Sequence, residues 1–192
     1  MSKLPDVLWL NTSPSLHCFA QPLLRYLSHQ EIIAQWDYCQ SQDEASSLDT
    51  ALLLLHSYLK SHTRPVHLIG HSTGGLLGLL YARQYPERIK SLTLLAVGVD
   101  AAVDWQAHYY LHRQLLSRQQ VLSGMVYNLF GYQDTETIKR LESILERDLD
   151  VSVSPHSLFQ QLTMLPEGVP VPLMVCGSID DIVVEPCALR AW

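Results

Sequence analysis

Short apolar runs and stretches of helical period alternate along the first half of the chain. Asp6 to Leu10 reads as a short buried strand, and the turn-rich "NTSPS" follows it. An apolar helical pattern then covers about Pro22 to Leu27, with Pro22 suited to a first helical turn. "EIIAQWDY" predicts a second strand. In "SSLDTALLLLHSYLKSH", Leu48, Leu52, Leu55 and Leu59 recur at helical spacing behind Ser46 and Asp49, which form a capping-box pattern. Val66 to Ile69 predicts a third strand, Leu76 to Tyr85 a helix stopped by Pro86, and Ile89 to Val97 a fourth strand. Such regular alternation predicts an α/β fold, a mostly parallel sheet with helices on both faces.

The alternation breaks at Asp100. From there to about Leu165 three stretches read as helical: "WQAHYYLHRQLLSRQQVLSGMVYNLF", "DTETIKRLESILERDL" and "SPHSLFQQLTML". "VPVPLMVCG" then restores a buried strand ended by Gly177, and "EPCALRAW" places Pro186 in the first turn of a short last helix without a stop signal. The chain divides into a first part of an α/β core (1–99), a helical insertion (100–168) and a second part of the core (169–192). A sheet ending at "VPLMVCG" leaves an edge and one face uncovered, so the core is expected to be incomplete at its C-terminal end.

Composition narrows the function classes. The 192 residues, 47% of them hydrophobic, suffice for a substantial core. With 13 basic against 19 acidic residues, a formal charge of -6 and no run of Lys or Arg, nucleic acid is not an expected partner. No apolar stretch approaches the roughly 20 residues of a membrane span. "MSKLPDVLWL" lacks the pattern of a signal peptide, which makes a cytoplasmic location the default expectation. Cys18, Cys39, Cys176 and Cys187 form no C-x-x-C pair, so neither a metal knuckle nor a disulfide framework is expected.

The chemistry concentrates at Gly70-His71-Ser72-Thr73-Gly74, a G-x-S-x-G pattern between an apolar strand and a helix. A serine on such a sharp turn takes a strained backbone conformation, and glycines two residues to either side let neighbouring chains approach. Its hydroxyl is pushed clear of the sheet. The helix beginning beneath it supplies free N–H groups and a positive dipole end that stabilise a developing oxyanion. The spacing matches neither G-x-G-x-x-G nor the Walker pattern; a plain turn serine before a helix is the competing reading.

Here the sequence resembles the α/β-hydrolase superfamily. "GHSTGG" with "YPERIKSLTLL" resembles the nucleophile elbow, its helix and the next strand; "DVLWLNTSP" resembles the strand and loop of the oxyanion hole; and "PLMVCGSIDDIVVEP" resembles the strand and turn of the catalytic acid. The resemblance implies Ser72 as nucleophile and Asp180, three residues after Gly177, as acid. Asp181 beside it, or Asp100 after the preceding strand, are the alternatives, and a solvated turn is the bland reading of the pair. It also implies backbone N–H groups of Ser13 and Thr73 as oxyanion donors, no cofactor, and a helical cap insertion over a small-molecule acyl or aromatic substrate. Two departures stand out. Asn11 and Thr12 occupy the place where the family usually writes His-Gly. The family's histidine base follows the acid, and none of the nine histidines lies after Asp181, so the base is expected beyond Trp192. His71 adjoins the nucleophile across a sharp turn that points neighbours apart, and His17 lies near the oxyanion loop.

Trp105, Tyr109, Tyr110, Met125, Tyr127, Phe130 and Tyr132 either line an apolar pocket or pack the insertion onto the sheet. The sequence thus predicts a serine hydrolase of an ester, thioester or related acyl bond. The alternative from another class is a non-catalytic binding or scaffold protein of the same fold. Carbon-carbon bond hydrolases, lyases and peroxidases share the constellation, and oligomeric state is not legible.

Overall fold

The computed structural model describes residues 5–40, 43 and 45–192. Residues 1–4, part of the stretch read for a signal peptide, lie outside them.

Five parallel strands form one sheet in the order β2-β1-β3-β4-β5. They are β1 (Val7–Asn11), β2 (Ile33–Asp37), β3 (Val66–His71), β4 (Ile89–Leu95) and β5 (Leu173–Cys176). All five residues of β1 are buried, as expected of a central strand covered on both faces. The register aligns the carboxyl ends: Asn11 pairs with Asp37, and His71 pairs with Leu95, which pairs in turn with Cys176. The chain leaves β1 toward β2 on one side and resumes with β3 on the other. That reversal opens a crevice at the ends of β1 and β3, where ligands of open α/β sheets bind.

The helices are α1 (His17–Ser28), α2 (Leu48–Leu59), α3 (Thr73–Gln84), α4 (Trp105–His112), α5 (Arg118–Phe130), α6 (Thr135–Val151) and α7 (Pro186–Arg190). α3 is apolar nearly all round and is buried along most of its length, including Leu76, Leu77 and Leu79. These leucines pack with Leu8, Leu10, Leu68, Leu92 and Leu94 of the sheet and with Leu55 and Leu59 of α2. A second core joins α4, α5 and α6 through Trp105, Tyr109, Leu122, Met125 and Leu145, and Val183 and Val184 of the last segment belong to it. Within it Asp148 of α6 is fully buried. It accepts hydrogen bonds from Ser152 Oγ at 2.6 Å and Gln106 Nε2 at 3.4 Å, and desolvation pushes its pKa up to about 6.

Three elements differ from the sequence reading. Pro22 lies inside α1 and does not open it, because a 3₁₀ turn at Pro14–Leu16 runs directly into the helix five residues earlier. Pro22 and Cys18 are exposed, so the Cys18 carbonyl that loses its partner meets water. α2 is capped by Ser47, whose Oγ accepts the Thr50 N–H at 3.1 Å. Ser46 instead ties this loop to the insertion, donating to Ser154 O at 2.7 Å and accepting from Ser154 N at 3.0 Å. The third helical stretch, "SPHSLFQQLTML", forms no helix. Ser157 Oγ captures the N–H groups of Phe159 and Gln160, and Ser154 Oγ that of His156, so side chains take the donors a first helical turn would have used.

β5 pairs with β4 alone among the described residues, and Met174 on it is 56% exposed, so this edge and face are open. No helix among the described residues is long and apolar enough to cross a membrane.

Candidate active site

The sharp turn after β3 is present. Ser72 takes φ 52° and ψ -127°, in the region L-residues rarely occupy. Its N–H donates to Leu95 O at 3.0 Å, and its carbonyl accepts the Leu76 N–H at 3.0 Å as α3 begins. The strain is imposed by packing. A Cβ on Gly70 would lie 2.4 Å from the Gly74 carbonyl oxygen, and one on Gly74 would lie 2.5 Å from the Leu10 carbonyl oxygen. Glycine at 70 lets the start of α3 turn back against the end of β3, and glycine at 74 lets it rest against the end of β1. The same contact sets the α3 N-terminus, with Thr73 first, beside the loop that follows β1.

That loop is braced from both sides. The Asn11 side-chain amide donates to Asp37 Oδ1 at 2.6 Å and reaches His17 Nδ1 at 3.4 Å, while Gln21 holds His17 Nε2. Asn11 thus links β2 to α1 across the mouth of β1. Thr12 beneath it is buried, and Ser13 precedes the 3₁₀ turn, its carbonyl accepting the Leu16 N–H at 3.0 Å.

On the other side, Thr73 Oγ1 donates to Asp104 Oδ2 at 2.7 Å in a buried contact. Asp104 also caps α4, accepting the Ala107 N–H at 2.9 Å. Behind it, His156 Nε2 donates to Ala102 O at 2.6 Å and lies 3.9 Å from Asp104 Oδ1. The turn after β3 is therefore fastened to the start of α4. The sequence reading missed Asp104; its signal was an Asp directly before the helical stretch at Trp105. Asp100 faces elsewhere, its carboxylate accepting the Met164 N–H at 3.3 Å beside a second cavity of about 360 Å³.

The two acids after β5 differ. One Asp181 oxygen accepts the N–H groups of Val183 and Val184, each at 2.9 Å, which closes the turn. Asp180 is exposed, with its N–H on Ser178 Oγ at 3.2 Å.

These pieces meet round a cavity of about 850 Å³. Ser13, His17 and His71 line it together with Asp180 and Asp181; Ser72 and Thr73 stand at the turn directly after His71 and are not part of its wall. The His71 ring is reached by solvent in the cavity but enclosed by protein. Desolvation holds its pKa below the ordinary value, against the opposing pull of Asp181 and Asp104. The large apolar residues of segment 100–168 divide: Tyr127 and Phe130 line the cavity, Tyr109 and Met125 pack the second core, and Trp105 does both. Tyr132 is 89% exposed and stands edge-on to Tyr127. Among the described residues no group of three or more His, Cys, Asp or Glu side chains is placed to hold a metal ion.

Comparison with known proteins agrees with this architecture. Residues 59–115, which hold β3, the elbow and β4, match the family model described as alpha/beta hydrolase fold. An uncharacterized protein of Nostoc sp. (strain PCC 7120) is 48% identical over 195 residues, covering 100% of this chain and 78% of its own length. Among solved structures, a hydrolase from Pseudomonas aeruginosa PA01 superposes with a TM-score of 0.59 at 21% identity, over 96% of this chain and 76% of its own. The enol-lactonase from Burkholderia xenovorans LB400 superposes with a TM-score of 0.62 at 15% identity, over 98% of this chain and 78% of its own. With the sheet order, the elbow and these matches in agreement, the chain belongs to the α/β-hydrolase superfamily.

Proposed function

We propose that this chain carries the nucleophile of a serine hydrolase that cleaves an ester, thioester or related acyl bond through an acyl-enzyme. The observation that carries the reading is the positive φ of Ser72 at the end of β3, directly over the N-terminus of α3. Ser72 Oγ attacks the substrate carbonyl and gives up its proton to a histidine beyond Trp192, following the order in which the family writes its triad. The carbonyl oxygen becomes an oxyanion held by the N–H groups of Thr73 and Ser13, a role supported by the close packing of Gly74 at the start of α3 on Leu10 at the end of β1. The histidine then protonates the leaving group. Water, activated by the same base, releases the acid and frees Ser72.

Asp180 orients that histidine. Its exposed carboxylate at the cavity suits the role, whereas Asp181 is already engaged in closing its own turn. In this reading residues 1–99 and 169–192 form the catalytic core, and the segment 100–168 is its cap. The substrate is a small acyl or aromatic molecule, and the chemistry needs no cofactor.

A second reading, a binding or scaffold protein that keeps the fold without the chemistry, draws support from Asn11-Thr12 in the oxyanion loop and from the absence of Ser72 from the cavity wall. A fluorophosphonate probe separates the two. Labelling of the full-length gene product at Ser72, lost in Ser72→Ala, supports the hydrolase; a folded full-length protein that stays unlabelled supports the binding reading.

A further inference from the structure

We infer that the group held by this cavity is uncharged and apolar, and that the site discriminates against molecules carrying a carboxylate or phosphate at the end remote from the reacting bond. The inference rests on the hydrolase reading for its kinetic consequence and on the cavity alone for its binding consequence.

Two unlike groups of residues line the cavity. Ser13, His71, Asp180 and Asp181, at or just after the carboxyl ends of β1, β3 and β5, belong to its wall. The other group forms a cleft between α1 and α5, walled by Phe19, Ala20 and Leu23 on one side and by Tyr127, Leu129 and Phe130 on the other. The Phe19 and Phe130 rings bridge the helices with centroids 5.1 Å apart, tilted by 34°. Phe19 and Leu23 still expose 48% and 37% of their surface, apolar area that a ligand in the cleft would cover. A volume of about 850 Å³ is of the size that encloses a ligand of several rings or a medium acyl chain.

Charge points the same way. No Lys or Arg is among the described residues lining the cavity, while two carboxylates are. The Asn11 amide turns its nitrogen toward Asp37 Oδ1 at 2.6 Å and reaches His17 Nδ1 at 3.4 Å, and Gln21 contacts His17 Nε2, so the His17 ring is engaged on both sides by neighbouring amides. His71 is held neutral near pH 7 by desolvation. An anion in the cleft would lose its hydration and meet no Lys or Arg among the described lining residues.

The test pairs carboxylates with their methyl esters, so a ratio above the roughly fourfold worth of the added methyl reports the charge. In the full-length protein, kcat/KM for p-nitrophenyl butyrate, hexanoate and octanoate is expected to rise about fourfold per added methylene until the cleft is filled. The p-nitrophenyl monoester of adipic acid is expected at least about tenfold below its methyl ester. Binding is read separately by quenching of tryptophan fluorescence in Ser72→Ala, with methyl 2-naphthoate expected to bind at least about tenfold tighter than 2-naphthoate. Ala20→Arg, which places a cation in the cleft wall, is expected to reverse that preference. Equal or better handling of the carboxylates, or no binding of the neutral ligand, overturns the inference. Selective binding without turnover of any ester overturns the hydrolase reading and leaves the charge preference standing.

Discussion

Replacing Asp148 by asparagine removes a charge that α6 holds out of reach of water. An unfolded chain ionises this carboxyl near its ordinary value of 3.8, whereas the folded protein keeps the proton until about pH 6, chiefly because burial penalises the carboxylate. Between those two values only the unfolded state gives up the proton, so stability falls as pH rises through the window and is level above it. Below 3.8 both states are protonated and nothing is lost. The full effect is about 3 kcal/mol, at roughly 1.4 kcal/mol for each pH unit of the window. Asparagine is isosteric, and its oxygen can still accept from Ser152 Oγ at 2.6 Å. Its nitrogen would meet Gln106 Nε2, but a turn of the Gln106 amide presents Oε1, a buried atom that lacks a partner, as the acceptor. Asp148→Asn is therefore expected to match the parent protein near pH 4 and to exceed it by up to about 3 kcal/mol at pH 7, less what the amide loses toward the Trp105 side chain. Urea unfolding of both proteins at several pH values between 4 and 7 measures the gap, and other carboxylates cancel in the difference. A gap that stays constant across this range would refute the reasoning.

Ser72→Gly relieves the positive φ while deleting the hydroxyl, so the midpoint of thermal unfolding is expected to rise by about 2–4 °C as fluorophosphonate labelling vanishes. Ser72→Ala, which keeps a Cβ in the same conformation, should show no such gain. Thr73→Val removes the 2.7 Å bond to buried Asp104 and is expected to cost about 1–3 kcal/mol in urea unfolding, with Thr73→Ser restoring most of it. Equal stability of the valine and serine variants would mean that the contact contributes nothing.

The sheet was legible because the fully buried β1 carries the continuous apolar run Val7–Leu10, while β4 alternates buried Ile89, Leu92 and Leu94 with more exposed Lys90, Ser91 and Thr93. α2 declared itself by the spacing of its leucines. What misled was apolar residues without burial: Leu158, Leu165 and Phe159 suggest a helix face, yet Phe159 is 99% exposed and the neighbouring serines hold the backbone donors. The helix at Pro22 was misplaced because its start is set by a 3₁₀ turn, a pattern with little hydrophobic period of its own. The elbow could be read since its geometry is local to five residues. Asp104 could not, because it meets Thr73 across 31 positions and nothing in the spacing joins the two.

The contacts at Gly70 and Gly74 separate assembly from reactivity within a single motif. A chain in which Ser72 is exchanged would still be unable to accept a methyl group at either glycine while its layers close. The glycine pair therefore answers to the closure of the layers, whatever side chain stands between its members.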